Sequence, residues 1–250
     1  MEPVYTPVIA AARGMFRAQG TQFTILGEDN VPRHGGAVMA INHTSYFDFI
    51  YAGLSAQKSR RLVRFMAKKS IWSHQVAGPL MRGMRHIPVD RHSGAESYAT
   101  AVRALRAGEI VGVFPEATMS LSFELKEFKS GAVRMAMEAG VPILPVTIWG
   151  AQRQWTKNLP KQLKRNRIPV HITVGEPVVP QQGESAESVT TRLRAAMEQQ
   201  LAAQQAAYPA MSGDQAVYLP ARLGGSAPTP EEAFAKEEAD RTRTRDKFNS

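Results

Sequence analysis

From Gly36 onward, short apolar runs alternate with segments whose apolar residues recur at helical spacing. Such alternation predicts an α/β fold, a sheet covered by helices. The predicted strands are Ala37–Ile41, Val63–Ala67, His86–Val89, Ile110–Phe114, Ile143–Trp149 and Val170–Val174, and the predicted helices are Phe47–Lys58, Ile71–Met84, Ser97–Ala107 and Gly131–Ala139. Gly108 and Gly140 stand where a left-handed C-terminal cap favours glycine. Ahead of these elements, Thr6 and Pro7 suit the cap and first turn of an amphipathic helix through Gln19, with Arg13 and Arg17 as its cations. A last helix from about Ala186 closes the domain near residue 207.

Three regions follow: 1–24 as the N-terminal amphipathic helix, 25–207 as the main domain and 208–250 as a tail. The tail is rich in Pro, Gly, Ser and Ala and then in mixed charge, with few large apolar residues to bury, so it is expected to be extended or loosely docked. The N-terminal helix has two open readings, packing on the domain or lying on an anionic membrane.

At 250 residues and 43% hydrophobic, the chain is long enough for a proper core. It has no cysteine, which removes disulfides, thiolate metal sites and cysteine nucleophiles from consideration and suits a reducing compartment. No apolar run approaches the roughly 20 residues needed to span a bilayer, and the start lacks the features of a signal peptide. The net charge of +9 favours an anionic partner: nucleic acid, a phospholipid surface or a phosphorylated substrate. The tail's charges nearly cancel, so the excess belongs to the folded part.

Candidate chemistry gathers where the apolar runs stop. In "AINHTSYFDF" a strand breaks into Asn42 and His43, with Asp48 five residues on. On a continuous helix that spacing would leave the two side chains roughly 140° apart. A strand, a turn, a cap at Thr44 or Ser45 and a helix carrying Asp48 in its first turn lets the carboxylate reach back to His43. It would then fix the ring's tautomer and leave the other nitrogen as a general base; a purely structural polar strand end is the alternative. In "EIVGVFPEATMS" a second run ends at Phe114 and Pro115, placing Glu116 and Thr118 where they could hydrogen-bond a polyol or help hold a phosphate, unless Glu116 is simply exposed. "RHIPVDR" delivers Arg91, a fork of donors suited to phosphate or else a surface partner of Asp90 or Glu96. "VPILPVTIWG" reads as a proline-flanked core strand.

In this order and spacing the four blocks resemble the glycerolipid acyltransferases, specifically the 1-acylglycerol-3-phosphate (lysophosphatidic acid) acyltransferase family, over about residues 25–180. The family's HxxxxD pattern stands here as "HTSYFD" after Asn42, its second block as "HIPVDR", its FPEGTRS as "FPEATMS" and its fourth block as "VPILPVTI". The resemblance implies a mixed, largely parallel sheet flanked by helices. His43 would take the proton of an acceptor hydroxyl, with Asp48 orienting it, and the alkoxide would attack the thioester of acyl-CoA or acyl carrier protein. The product from 1-acylglycerol 3-phosphate is phosphatidic acid. Direct attack on an activated thioester implies no cofactor and no acyl-enzyme, so Ser45 and Ser120 are poor nucleophiles, and with carboxylates and histidines not clustered at ligand spacing no metal is implied.

"FMAKKSIW" resembles the family segment that supplies a lysine near the phosphate, here Lys68. The third block departs from the family at Ala117, in place of glycine, and Met119, in place of the arginine expected at the acceptor phosphate. The phosphate then falls to Arg91, Lys68 or Lys129, or the acceptor is another lysophospholipid, glycerol 3-phosphate or a phosphatidylinositol mannoside. A lipid acceptor implies a peripheral enzyme on the anionic cytoplasmic face of the cell membrane, held by the basic face and the N-terminal helix. A basic nucleic-acid-binding protein is the alternative from another class, but no recognised binding signature accompanies the charge, so no nucleic acid is expected. A serine hydrolase lacks its GxSxG elbow.

Overall fold

The structure, a computed structural model, describes residues 2–90 and 94–249, with side chains up to Asp240 and at Thr242. A sheet of seven strands forms the middle layer: β1 (Gln22–Leu26), β2 (Ala37–Ile41), β3 (Val63–Lys68), β4 (Ile87–Val89), β5 (Ile110–Val113), β6 (Ile143–Trp149) and β7 (Pro169–Val174). Their order is β1-β7-β6-β2-β5-β3-β4, with β6 and β7 antiparallel and every other pair parallel. The mixed, largely parallel α/β sheet expected from the sequence is therefore present.

Period-two burial assigns the two faces. Met39 and Ile41 of β2 join Phe16 of α1 (Tyr5–Gln19) and Tyr51 of α2 (Asp48–Ser55) on one side. Val38 and Ala40 face the other side, against α4 (Gly94–Arg106), α5 (Gly131–Ala139) and α6 (Ala186–Ala207). α1 thus packs on the domain: Tyr5, Ala12 and Phe16 are buried and the Tyr5 hydroxyl donates to the Val63 carbonyl at 2.8 Å. Arg13 and Arg17 stay exposed.

Three local differences from the sequence reading have physical causes. β1 escapes an apolar-run reading because it is an edge strand, mostly exposed and, among the described residues, paired only with β7. The helix expected over Ile71–Met84 divides into a 3-10 turn at Lys69–Ser73 and α3 (Ala77–Gly83). His74 Nδ1 accepts the Val76 and Ala77 N–H groups, and Gly78 lies so near the Trp72 carbonyl that a Cβ would stand 2.3 Å from it. Phe47, the residue flanking α2, has no side-chain cap of its own; Ser45 Oγ accepts the Phe47 N–H at 3.1 Å, Thr44 Oγ1 caps nothing among the described residues, and both residues donate backbone N–H groups to Asp48.

The tail departs most from an extended chain. Tyr208 and Ala227 join Phe123, Trp149 and Leu201 in a third apolar cluster. Beyond it lies α7 (Pro230–Asn249), opened by a capping box in which Glu232 N–H donates to Thr229 Oγ1 at 3.3 Å and Thr229 N–H donates to Glu232 Oε2 at 3.1 Å. "TPEE" at 229–232 carries that start signal in the sequence, with proline at the first helical position.

Candidate active site

β2 lies between β5 and β6, and all three run parallel, so their C-terminal ends emerge side by side. Beyond Ile41 the chain is clamped at once. The Asn42 backbone N–H still donates to the Val146 carbonyl at 3.3 Å, and its buried side chain adds a two-point tie to β6, donating to the Ile148 carbonyl at 3.1 Å and accepting the Ile148 N–H at 2.7 Å.

The turn that follows is built around Asp48. Its Oδ2 accepts the backbone N–H groups of Thr44 and Ser45, each at 2.7 Å, and lies 3.1 Å from His43 Nδ1. Being fully buried, the carboxyl is pushed above its usual range by desolvation, while the His43 hydrogen bond and charge and the two backbone donors pull it back. Against this carboxylate Nδ1 carries the proton and donates, leaving Nε2 as the open ring nitrogen. The ring stacks on Phe114 at 4.1 Å between centroids, and its side chain is 22% exposed, so an incoming group can reach it.

Glu116 has a different position from that of an exposed strand-end carboxylate or a ligand to the acceptor. It is buried, and both oxygens are occupied by backbone donors: His43 N–H at 2.9 Å and Lys126 N–H at 3.0 Å. On the other side of His43, its carbonyl accepts the Ser120 N–H at 2.7 Å. The backbone of His43 is therefore held at both ends by the turn after β5. Ala117 at φ 61° makes that turn in the left-handed region, at a cost of about 1 kcal/mol relative to glycine.

Desolvation raises the Glu116 carboxyl to about 7, against the hydrogen bonds from Lys126 and His43. Because the folded value lies above the unfolded one, its contribution to stability is full below about pH 4.5 and is lost as pH rises through 7. Glu116→Gln removes this titration but sets an amide donor against one of two backbone donors. We expect the stability of wild type relative to the variant to fall by about 3 kcal/mol between pH 4.5 and 8. Denaturant unfolding at both pH values measures it, and a pH-independent difference would contradict a buried, titrating Glu116.

Thr118 lies on the same turn, where its Oγ1 accepts from Lys126 Nζ at 2.6 Å. Met119 is turned inward, with its sulfur 3.4 Å from Thr156 Oγ1, and that hydroxyl donates to the Thr44 carbonyl at 2.7 Å. Lys68 ends β3 and is exposed, with β5 between its strand and β2. Lys129 is exposed before α5, and its backbone N–H donates to the Pro115 carbonyl at 2.9 Å. Arg91 lies outside the described residues. The structure thus joins His43, Asp48 and Glu116 directly and places Thr118 beside them. Phe114, Lys126 and Thr156 are additions, and of these only Phe114, at the strand end, has a visible sequence signal.

A histidine held by a buried carboxylate above the ends of parallel strands is an arrangement that can take up a proton. The Acyltransferase family model matches residues 22–149, spanning β1 to β6 and carrying His43, Asp48 and Glu116, and the chain belongs to this family. It is an O-acyltransferase. The chain is 30% identical over 155 residues to the 1-acyl-sn-glycerol-3-phosphate acyltransferase of Bacillus subtilis (strain 168), a match covering 62% of this chain and 72% of the relative. With the enzyme of the same name from Borreliella burgdorferi it shares 27% identity over 146 residues, 56% of each chain. The crystal structure of the 1-acyl-sn-glycerophosphate acyltransferase PlsC from Thermotoga maritima superposes with a TM-score of 0.64 at 20% identity, covering 79% of this chain and 81% of that one. This likeness establishes the fold.

Proposed function

We propose that the enzyme transfers a fatty acyl group from acyl-CoA or acyl carrier protein to the free hydroxyl of 1-acylglycerol 3-phosphate, giving phosphatidic acid for phospholipid synthesis. The observation that carries this reading is the His43 Nδ1 to Asp48 Oδ2 contact of 3.1 Å at the strand ends, in a chain whose curated relatives bear that enzyme's name. Nε2 of His43 removes the acceptor's proton as its oxygen attacks the thioester carbonyl; the C–S bond then breaks and the imidazolium gives that proton to the leaving sulfur, so that a free thiol departs and His43 is regenerated. Asp48 holds the ring and offsets the charge of the imidazolium. The donor is already activated, so the reaction uses neither cofactor nor metal.

An apolar cavity of about 190 Å³ between α1, α2 and α3, lined by Tyr5, Phe49, Phe65, Leu80 and Met84, supports a place for an acyl chain next to the helix that carries Asp48. Among the described residues no helix is long and apolar enough to cross a membrane. We place the enzyme peripherally on the anionic cytoplasmic leaflet, which its net charge of +9 favours.

Free-thiol release from oleoyl-CoA, with and without 1-oleoylglycerol 3-phosphate, tests the reaction, and acceptor-dependent release is expected. Other lysophospholipids, glycerol 3-phosphate and a phosphatidylinositol mannoside serve as competing acceptors; preference for one of these would reassign the acceptor. Equal recovery on neutral and anionic vesicles would sink the electrostatic part of the membrane reading.

A further inference from the structure

The carboxylate of Glu237, on α7, is inserted into the turn after β5 with only 10% of its side chain exposed. Lys126 Nζ lies 2.7 and 2.6 Å from its two oxygens, and Thr118 Oγ1 donates to Oε2 at 3.3 Å. Lys126 also donates to Thr118 Oγ1, which leaves the hydroxyl proton for the anion. Through its backbone, Lys126 hangs on the same Glu116 carboxylate that holds His43, and Arg194 of α6 further fixes it by donating to its carbonyl. A cation and a hydroxyl on one rigid turn beside the catalytic histidine are donors that an anionic oxygen group requires.

We propose that Thr118 and Lys126 form the binding site for the phosphate of the acceptor, and that Glu237 occupies it as a stand-in until a phosphate-bearing acceptor displaces it. α7 is then a strap over one rim of the active site. Its attachment suits release. Among its described side chains only Ala233 and Glu237 are buried, and Phe234 is 64% exposed. A second ion pair joins Asp240 to Lys157 at 2.8 Å, with both side chains more than a third exposed. Such a pair holds weakly and is screened by salt. Lys157 follows Thr156, whose hydroxyl binds the Thr44 carbonyl, so both attachments lie against the turn that carries His43.

The charges are complementary in both states. With α7 docked, two lysines of the core meet two carboxylates of the helix; with α7 released, the same lysines face the incoming anion. A phosphate monoester has more charge and more acceptor oxygens than one carboxylate, so it competes well for Lys126. Met119, turned inward, leaves Lys126 to supply the cation on this turn.

A phosphate reaches this site only if the acceptor proposed above is correct, and the test keeps the two apart. Hydrogen exchange over residues 230–240 of the full chain is followed at constant ionic strength with glycerol 3-phosphate or with glycerol. The phosphate ester, and not glycerol, should speed exchange, since a released polar helix of this length is marginal in water. In thiol-release assays Glu237→Gln should lower the KM for 1-oleoylglycerol 3-phosphate about two- to fivefold, as expected for removing a competing ion pair. Lys126→Met should raise it roughly tenfold or more, the loss expected for a charged hydrogen bond. Exchange unmoved by glycerol 3-phosphate would overturn the strap, as would a Glu237→Gln variant whose KM is unchanged or raised. Exchange that responds to glycerol 3-phosphate in a protein that transfers no acyl group to phosphate acceptors would instead remove the acceptor assignment and keep the anion site.

Discussion

His43→Ala is expected to lower kcat by about 10²- to 10⁴-fold, the share a positioned general base supplies, with KM for donor and acceptor within a few-fold of wild type. The expectation rests on how the residue is held. Its backbone N–H goes to Glu116 and its carbonyl to Ser120, so the turn keeps both anchors when the ring is removed. The ring itself contributes one stacking contact, to Phe114, and the bond to Asp48. Substrate positioning survives and leaves a residual rate. Circular dichroism and a melting curve establish that the variant is folded, and single-turnover thiol release measures the chemical step. A folded variant that keeps more than about a tenth of the wild-type kcat places the base elsewhere.

Asp48→Asn is the second large effect, expected at about 10²- to 10³-fold in kcat, and it separates charge from geometry. The amide oxygen can still accept from Thr44, Ser45 and His43, so the turn persists, but the imidazolium loses its counter-charge. Stability should change little, because removing a buried charge offsets the cost of a new N–H at the Oδ1 position, which has no hydrogen-bond partner among the described residues. The sign of the pH dependence follows from the raised carboxyl. Asp48 stabilises the fold most below the ordinary carboxylate range and loses that contribution as pH rises through its folded value. The stability of wild type relative to Asp48→Asn should therefore decline with rising pH. Asp48→Ala differs: it strips the acceptor from two backbone N–H groups and should cost about 3 kcal/mol or more. An inactive but stable Asn variant beside an unstable Ala variant is the expected pair. An Asn variant as active as wild type would reduce Asp48 to a turn residue.

Two kinds of feature are legible in the chain itself. The apolar runs at 37–41, 110–113 and 143–149 mark three adjacent central strands, because strands buried on both faces leave continuous apolar text. The five-residue spacing of His43 and Asp48, with Thr44 and Ser45 between them, requires a bend for the pair to meet, and the bend exists. Its mechanism has a part the local sequence does not show: Asp48 accepts the Thr44 and Ser45 N–H groups, while of the two hydroxyls Ser45 Oγ accepts the Phe47 N–H ahead of the helix and Thr44 Oγ1 suits a cap by residue type alone. Both arrangements draw on the same few donors and acceptors, so local composition does not choose between them.

What the sequence by itself determined is the periodicity of each element and the kind of chemistry at each break, since burial pattern and side-chain type are local properties. Only the tertiary structure decided which breaks meet. The order β6-β2-β5 brings Asn42, His43 and Glu116 together across more than 70 residues, and pairing order depends on the summed packing of all layers. It likewise turned Glu116 from a ligand candidate into a support for His43, because both its partners are backbone groups that carry no signature of their own. The placement of Glu237 on Lys126 is the extreme case. An acidic residue in a charged segment reads as solvated until the fold brings a lysine 111 positions away within reach.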